Sequence, residues 1–285
     1  MADSKGFADL HLHTTASDGT DSVEERVSDA SERGFDAIAV TDHDTINRSM
    51  EDRVEHRQGV EVICGSEIKA GLDGTKVEVL GYFLQPDDER LNELFDRIRR
   101  YREERMREMV RKVNAETDAT ISYEEVAAKA DTSIGRPHLA SVLVEHGEAD
   151  SISDAFARFI GSDQPAYVAT EKVAVGEVIE TVHDAGGIAS LAHPGRSLER
   201  ENAEEQVERL VELGLDAIEV PYTYDRMEVG RYAFTAEYAA ELAARFDLPV
   251  TGGSDCHGSR SDKYFLGDVR LPYRHVRRLK ELAGV

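Results

Sequence analysis

Two cysteines, Cys64 and Cys256, in a chain of 285 residues are too few for a disulfide framework, and both are expected to be reduced thiols. No stretch reaches the roughly 18 uninterrupted apolar residues that a membrane-spanning helix needs. The opening Met1-Ala2-Asp3-Ser4-Lys5-Gly6 carries no apolar signal core, so a cytoplasmic protein with no membrane partner is expected. Basic residues are also scarce: 34 Lys and Arg stand against 57 Asp and Glu, a formal net charge of -23. Such an excess opposes non-specific binding to nucleic acid and favours solubility. It also suits a high-salt habitat, where surface self-repulsion is screened. No internal repeat, low-complexity tract or linker stands out.

What the chain does have is enough apolar residue, 40%, to bury a full core, either as one large domain or as a barrel carrying an insertion. Short runs rich in Val, Ile and Leu recur at 7–13, 36–41, 61–68, 76–83, 187–193, 216–220 and 249–253. Helical stretches at 22–33, 173–185, 204–213 and 235–245 separate most of them. This alternation predicts a parallel α/β sheet or barrel. Gly34, Gly59, Gly186 and Gly214 stand where each helix should end. Between residues 86 and 167 the pattern turns to helix alone, with Leu91, Leu94, Phe95, Ile98, Met109, Val110 and Val113 at helical spacing. Short helices are expected at 136–144 and 153–160. The division is therefore a barrel from 1–85 and 168–285, with an inserted helical lobe at 86–167.

The predicted strands end on unusual residues. His11 and His13 close the first, Asp42-His43-Asp44 the second and Glu67 the third. His193 closes the fifth, and Asp255 and His257 follow the last. In α/β barrels that end is where loops converge and chemistry happens. In His-x-His the alternation of a strand puts both imidazoles on one face, so His11 and His13 can grip one ion together, with Asp18 on the following loop. Mixed imidazole and carboxylate donors without thiolates suit Zn, Mn or Fe. So many donors would hold more than one ion, and Glu67 is the natural bridge. Two or more metals a few ångströms apart are a standard device for phosphoester hydrolysis.

These stretches, "DLHLHTTASDGT", "AVTDHDT", "GSEI", "LAHPGR" and "GGSDCHG", in this order, resemble the PHP (polymerase and histidinol phosphatase) superfamily of metal-dependent phosphoesterases. The resemblance covers nearly the whole chain. It implies a distorted (β/α)7 barrel with a two- or three-metal centre at its C-terminal mouth. By match to the motifs, His11, His13, Asp18, His43, Glu67, His193, Asp255 and His257 would be ligands. A barrel interrupted after "LGYF", with "GRPH" in the insert, resembles the subgroup of 3',5'-nucleotide bisphosphate phosphatases and short-RNA 5'-exonucleases. Its implied partners are a small phosphorylated substrate, a nucleotide, or short RNA or DNA. Arg136 and His138 of "GRPH" would bind a substrate phosphate, in keeping with the fork geometry of Arg and the donor capacity of His. The plain alternative is that Arg136 only begins a helix with Pro137 in its first turn.

One departure stands out: many relatives carry His where "KVEVLGYF" has Glu78. Glu78 is either a ligand, since carboxylate takes the same hard ions, or a solvent-facing strand residue. Leaving-group protonation is left to His138, a bound water or Asp255. A histidinol-phosphate-type phosphatase and a non-catalytic PHP module are the rival readings.

Other residues receive plainer expectations. Cys256 should point away from its neighbours as a buried thiol, and Asp42 and Asp44 should orient ring nitrogens from behind. His56, His146, His183 and His275 sit in helical, polar surroundings and read as surface residues. Arg97, Arg99, Arg100, Arg102, Arg105 and Arg107, interleaved with Glu103, Glu104 and Glu108, read as a salt-bridged face. A track for a nucleic-acid backbone is the sharper alternative. Glu219 and Tyr222 fall at the right end of their strand to line a pocket, with no assigned role.

Overall fold

A computed structural model describes residues 6–130, 133–223, 234–261 and 265–285, so Met1 to Lys5 of the opening segment lie outside it. Its strands are β1 (Phe7–Leu12), β2 (Ala37–Val40), β3 (Val54–Arg57), β4 (Val60–Leu72), β5 (Thr75–Tyr82), β6 (Val173–Ala174), β7 (Ile188–Leu191), β8 (Ala217–Glu219), β9 (Val250–Thr251) and β10 (Leu271–Pro272). The helices are α1 (Val23–Glu32), α2 (Glu89–Glu116), α3 (Tyr123–Ala127), α4 (Arg136–Glu145), α5 (Ile152–Ala155), α6 (Val175–Asp184), α7 (Pro194–Ser197), α8 (Ala203–Glu212), α9 (Ala236–Arg245) and α10 (Arg274–Ala283).

Residues divide into two compact units, Met1–Phe95 with Val173–Val285, and Asp96–Lys172. In the first, strands pair in the order β1-β2-β4-β5-β7-β8-β9. The ring closes where Leu10 N–H donates to Gly252 O at 3.0 Å and His13 N–H to Cys256 O at 2.9 Å. This is the distorted (β/α)7 barrel. Its distortion has a local cause: β5 runs antiparallel to both β4 and β7. The β4–β5 connection turns through Asp73 and Gly74, with φ of 45° and 90°. Two consecutive positive φ values make the tight hairpin turn that Asp-Gly favours. Gln58 and Gly59, with φ of 52° and 81°, do the same between β3 and β4. Hence Gly59 ends no helix, and His56, read as helical, lies exposed on β3.

Ala8, Leu10, Ala37, Ala39, Ile63, Leu80, Tyr82 and Ala217 form the barrel's buried core. Tyr82 reconciles its hydroxyl with burial by donating to Leu10 O at 3.0 Å. At the start of α1 the Ser22 hydroxyl accepts from Glu25 N–H, and the Glu25 carboxylate accepts from Ser22 N–H. That reciprocal cap sets where the chain leaves the first ligand loop.

The second unit is helical. Met106, Met109, Val113, Leu139, Leu143 and Ile160 form its own buried core. A π-helical turn over Phe156–Ile160 extends α5 where a longer α-helix was expected.

Candidate metal centre

The first unit brings together His11, His13, Asp18, His43, Glu67, Glu78, His193, Asp255 and His257, in groups whose candidate ligand atoms lie within 4.8 Å of one another. His13, Asp18, His43 and His257 form one group, and His11, His193 and Asp255 a second. Glu67 joins His11 and His13 in a third, and joins His43 and Glu78 in a fourth. Glu67 is thus the hub, with Oε2 2.8 Å from His43 Nδ1 and Oε1 2.7 Å from His193 Nε2. Asp255 Oδ1 lies 3.1 Å from His13 Nε2 and 3.6 Å from His11 Nε2. Glu78 is buried, not solvent-facing, and its Oε2 stands 3.4 Å from His193 Nε2.

Whether these residues suit a cation can be judged from their own hydrogen bonding. His11 Nε2, both nitrogens of His13, His43 Nδ1, Glu67 Oε2 and His257 Nε2 are buried yet make no hydrogen bond. Even the 2.8 Å approach of His43 to Glu67 lacks hydrogen-bond geometry. Each orphaned polar atom costs about 1–3 kcal/mol, so a convergent set of them needs a common partner. A divalent cation satisfies lone pairs of both types at once, and the donor set fits Mn, Zn or Fe.

The backbone is arranged for the same purpose. His193 and Asp255 have φ of 24° and 57°, and Asp44 has 51°. Such conformations cost about 1–3 kcal/mol each and are kept where a side chain must be re-aimed. At Gly253 a Cβ would stand 2.3 Å from the Cβ of His11, so only glycine lets β1 approach this closely. This accounts for the second glycine of "GGSDCHG".

Electrostatics follow from crowding. Burial alone would depress the His11 imidazole, but the charges of Glu219, Glu67 and Asp255 raise it well above its ordinary value. For His13, burial and the neighbouring His43 act together, bringing it down to about 4. Glu67 and Asp255 would be raised by burial, yet the surrounding imidazoles hold both well below the usual carboxylate range. Burial likewise loses at Asp18 to the approach of His257, 3.3 Å away, and the charge of His43.

Three residues without an assigned role support the ligands. Glu219, fully buried, places Oε1 3.1 Å from His11 Nδ1 and accepts His193 N–H on Oε2 at 2.7 Å. Arg196 donates to Asp255 Oδ2 at 3.0 Å, and Tyr222 O–H donates to the same oxygen at 2.8 Å. The sequence signal for Arg196 was its place at the end of "LAHPGR". Asp42 does not orient an imidazole: it accepts from Thr14 N–H at 2.8 Å and from the Thr14 and Ser17 hydroxyls at 2.6 Å, tying the first ligand loop to β2. Asp44 accepts Lys69 N–H at 2.8 Å. Cys256 is buried beside Arg26, which donates to its sulfur at 3.1 Å, and burial raises its thiol.

Arg136 and His138 belong to the helical unit. Arg136 donates to Ile160 O at 3.3 Å and lies over the rings of Phe156 and Tyr167, and His138 Nδ1 accepts Gly135 N–H at 3.0 Å. On α2, Arg99 pairs with Asp96 at 2.8 Å and Arg107 with Glu124 at 3.7 Å, a salt-bridged face. Arg105 instead donates to Val168 O at 2.7 Å.

A seven-strand barrel whose mouth gathers buried imidazoles and carboxylates around orphaned lone pairs is a metal-binding α/β barrel. Its family is the PHP domain, which matches residues 9–218, and the chain belongs to it. It is 31% identical over 251 residues to a 5'-3' exoribonuclease of Haemophilus influenzae, covering 87% of this chain and 89% of that one. It is 27% identical over 257 residues to a 3',5'-nucleoside bisphosphate phosphatase of Chromobacterium violaceum, covering 87% and 86%. A solved structure from Bifidobacterium adolescentis, described as a putative metal-dependent phosphoesterase, superimposes with a TM-score of 0.75 at 31% identity, covering 99% of this chain and 97% of that one. Among the described residues no helix is long and apolar enough to cross a membrane.

Proposed function

We propose that this PHP protein is a metal-dependent phosphoesterase that hydrolyses phosphate esters of nucleotides, of the 3',5'-bisphosphate type, or the 5' ends of short oligonucleotides. The observation that carries this reading is the convergence of buried imidazole and carboxylate atoms with no hydrogen-bond partner. The two relatives named above act on RNA and on nucleoside bisphosphates, which supports the substrate class.

Two or three divalent ions, Mn, Zn or Fe, would supply water activation and neutralise phosphate oxygens. His13, Asp18, His43 and His257 are assigned to one ion, His11, His193 and Asp255 to a second, and Glu67 to the space between them. Glu78 is assigned as a ligand beside His43 and Glu67. Asp255 accepts from Arg196 and Tyr222 and faces His11, which suits a ligand, and leaving-group protonation is assigned to His138, a bound water or Asp255. Arg136 and His138 are assigned to a substrate phosphate. We place the protein in the cytoplasm, where Cys64 and Cys256 remain reduced.

The experiment is phosphate release by the Mn-loaded protein from a nucleoside 3',5'-bisphosphate, histidinol phosphate and a short 5'-phosphorylated RNA, with His11→Ala, His13→Ala as control. Turnover of the nucleotide or RNA, lost in the control, supports the reading. Turnover of histidinol phosphate alone would move the protein to the rival phosphatase, and silence on all three with metal bound would favour a non-catalytic module.

A further inference from the structure

Above the ligands, a cavity of about 310 Å³ is lined by residues of the metal centre together with three cations, Lys69, Lys76 and Arg196. In a chain of net charge -23, three cations from three separate elements, β4, β5 and α7, converge on one small space. We infer that they form a cationic wall that binds a second anionic group of the substrate, beside the phosphoester that is cleaved. This rests on the phosphoesterase reading of the same site.

The register of the hairpin sets this wall beside Glu78 and beyond Glu67. Lys69 pairs with Glu78 and Gly71 with Lys76, while Glu67 pairs with Leu80. Directly paired residues and residues two apart share a face, so Glu67, Lys69, Lys76 and Glu78 lie on one face of the β4–β5 hairpin. At the backbone Lys69 stands one pleat repeat beyond Glu67 and Lys76 two, about 7 and 13 Å along the strands, and the long Lys76 side chain brings its Nζ back to Glu78 Oε1. A phosphate held beside Glu67 leaves the donors of Lys69 and Lys76, around Glu78, for a different group of the same molecule. That offset suits two phosphates carried on one ribose, or adjacent phosphates of an oligonucleotide.

Each cation is tethered without being used up. Lys69 Nζ is 3.7 Å from Asp44 Oδ2, Lys76 Nζ 2.9 Å from Glu78 Oε1, and Arg196 3.0 Å from Asp255 Oδ2. An ammonium has three donors and a guanidinium five, so each retains N–H groups after its tether is made. Their side chains keep 31%, 53% and 46% exposure, against 0–4% for His11, His13 and Asp255. The tethering acids Asp44, Glu78 and Asp255 are buried, so the cations are the more accessible partner of each pair. Such an arrangement selects for a second charge mainly through binding.

The test uses nucleoside analogues whose phosphates are replaced by non-cleavable methylenephosphonates, titrated calorimetrically into the Mn-loaded full chain. The wild type is expected to bind the 3',5'-bis-analogue at least about tenfold more tightly than the 5'-mono-analogue. Lys69→Gln, Lys76→Gln should lose most of that preference, and Lys69→Arg, Lys76→Arg should restore it. Metal content and melting temperature of each variant are measured alongside. An unchanged preference in the Gln variant, equal weakening of both analogues, or no preference in the wild type would each overturn the wall. Failure of the cleavable nucleotides to turn over is a separate result that bears on the proposed function. Arg196 is left intact in these variants because it also holds Asp255.

Discussion

Glu219 holds His11 by the nitrogen that faces away from the metal centre, 3.1 Å from Oε1 to Nδ1, and thereby leaves His11 Nε2 aimed at Glu67 and Asp255. Its other oxygen takes the N–H of His193, whose backbone is held at a φ of 24°. One buried carboxylate thus fixes two ligand candidates, one on β1 and one just before α7. Glu219→Gln is expected to weaken Mn binding by about 10–100-fold, because the amide supports the wrong His11 tautomer through one of its two faces. Equilibrium dialysis with metal analysis reads this directly, and unchanged affinity would remove Glu219 from the supporting shell.

Glu78 occupies the position where the resemblance expects His, and the fold buries it within reach of His193, with Lys76 on its other oxygen. Substituting Glu78→Gln should lower the metal bound per chain by up to one equivalent while leaving the sites around His11 and His13 filled. Full occupancy in that variant would leave Glu78 a structural partner of Lys76 only.

Gly253→Ala should be strongly disruptive, since the added methyl meets His11 Cβ at 2.3 Å and the barrel closes at this contact. A loss of about 3 kcal/mol is expected from denaturant midpoints, together with reduced metal content. A neutral effect would mean that β9 can move away from β1 without opening the centre.

His183 Nε2 on α6 lies 2.7 Å from Asp216 Oδ2, and that hydrogen bond raises the imidazole above 6.5 against a partial burial that lowers it. The stabilisation linked to this raised value is complete below the unfolded value and is lost as pH rises through the folded one. The melting-temperature gap between wild type and His183→Gln should therefore be larger near about pH 6 than near about pH 9. A gap that is flat or grows with pH would contradict the pairing.

Much of the candidate site was legible in the amino-acid order because most of its residues follow short apolar runs, a local pattern, although β4 continues past Glu67 to Leu72 where the sequence predicted a strand end. His11 and His13 share a face by the two-residue period alone, Asp18 lies on the loop after them, and His43, Glu67, His193, Asp255 and His257 each come soon after an apolar run. The reversal of β5 was also written locally, in Asp73-Gly74, although strand-helix alternation masked it. Other features depended on which strands became neighbours. Glu219 reaches His11 across 208 positions of sequence, a separation over which no local pattern carries information. Lys69 and Lys76 carry no signal in the sequence, and only the register sets Lys69 opposite Glu78. By itself the sequence determined which residues could bind metal and the kind of barrel that would carry them. The tertiary structure alone decided which carboxylate steadies which imidazole and which cations overlook the cavity, because those relations follow from strand pairing and closure between segments far apart in the chain.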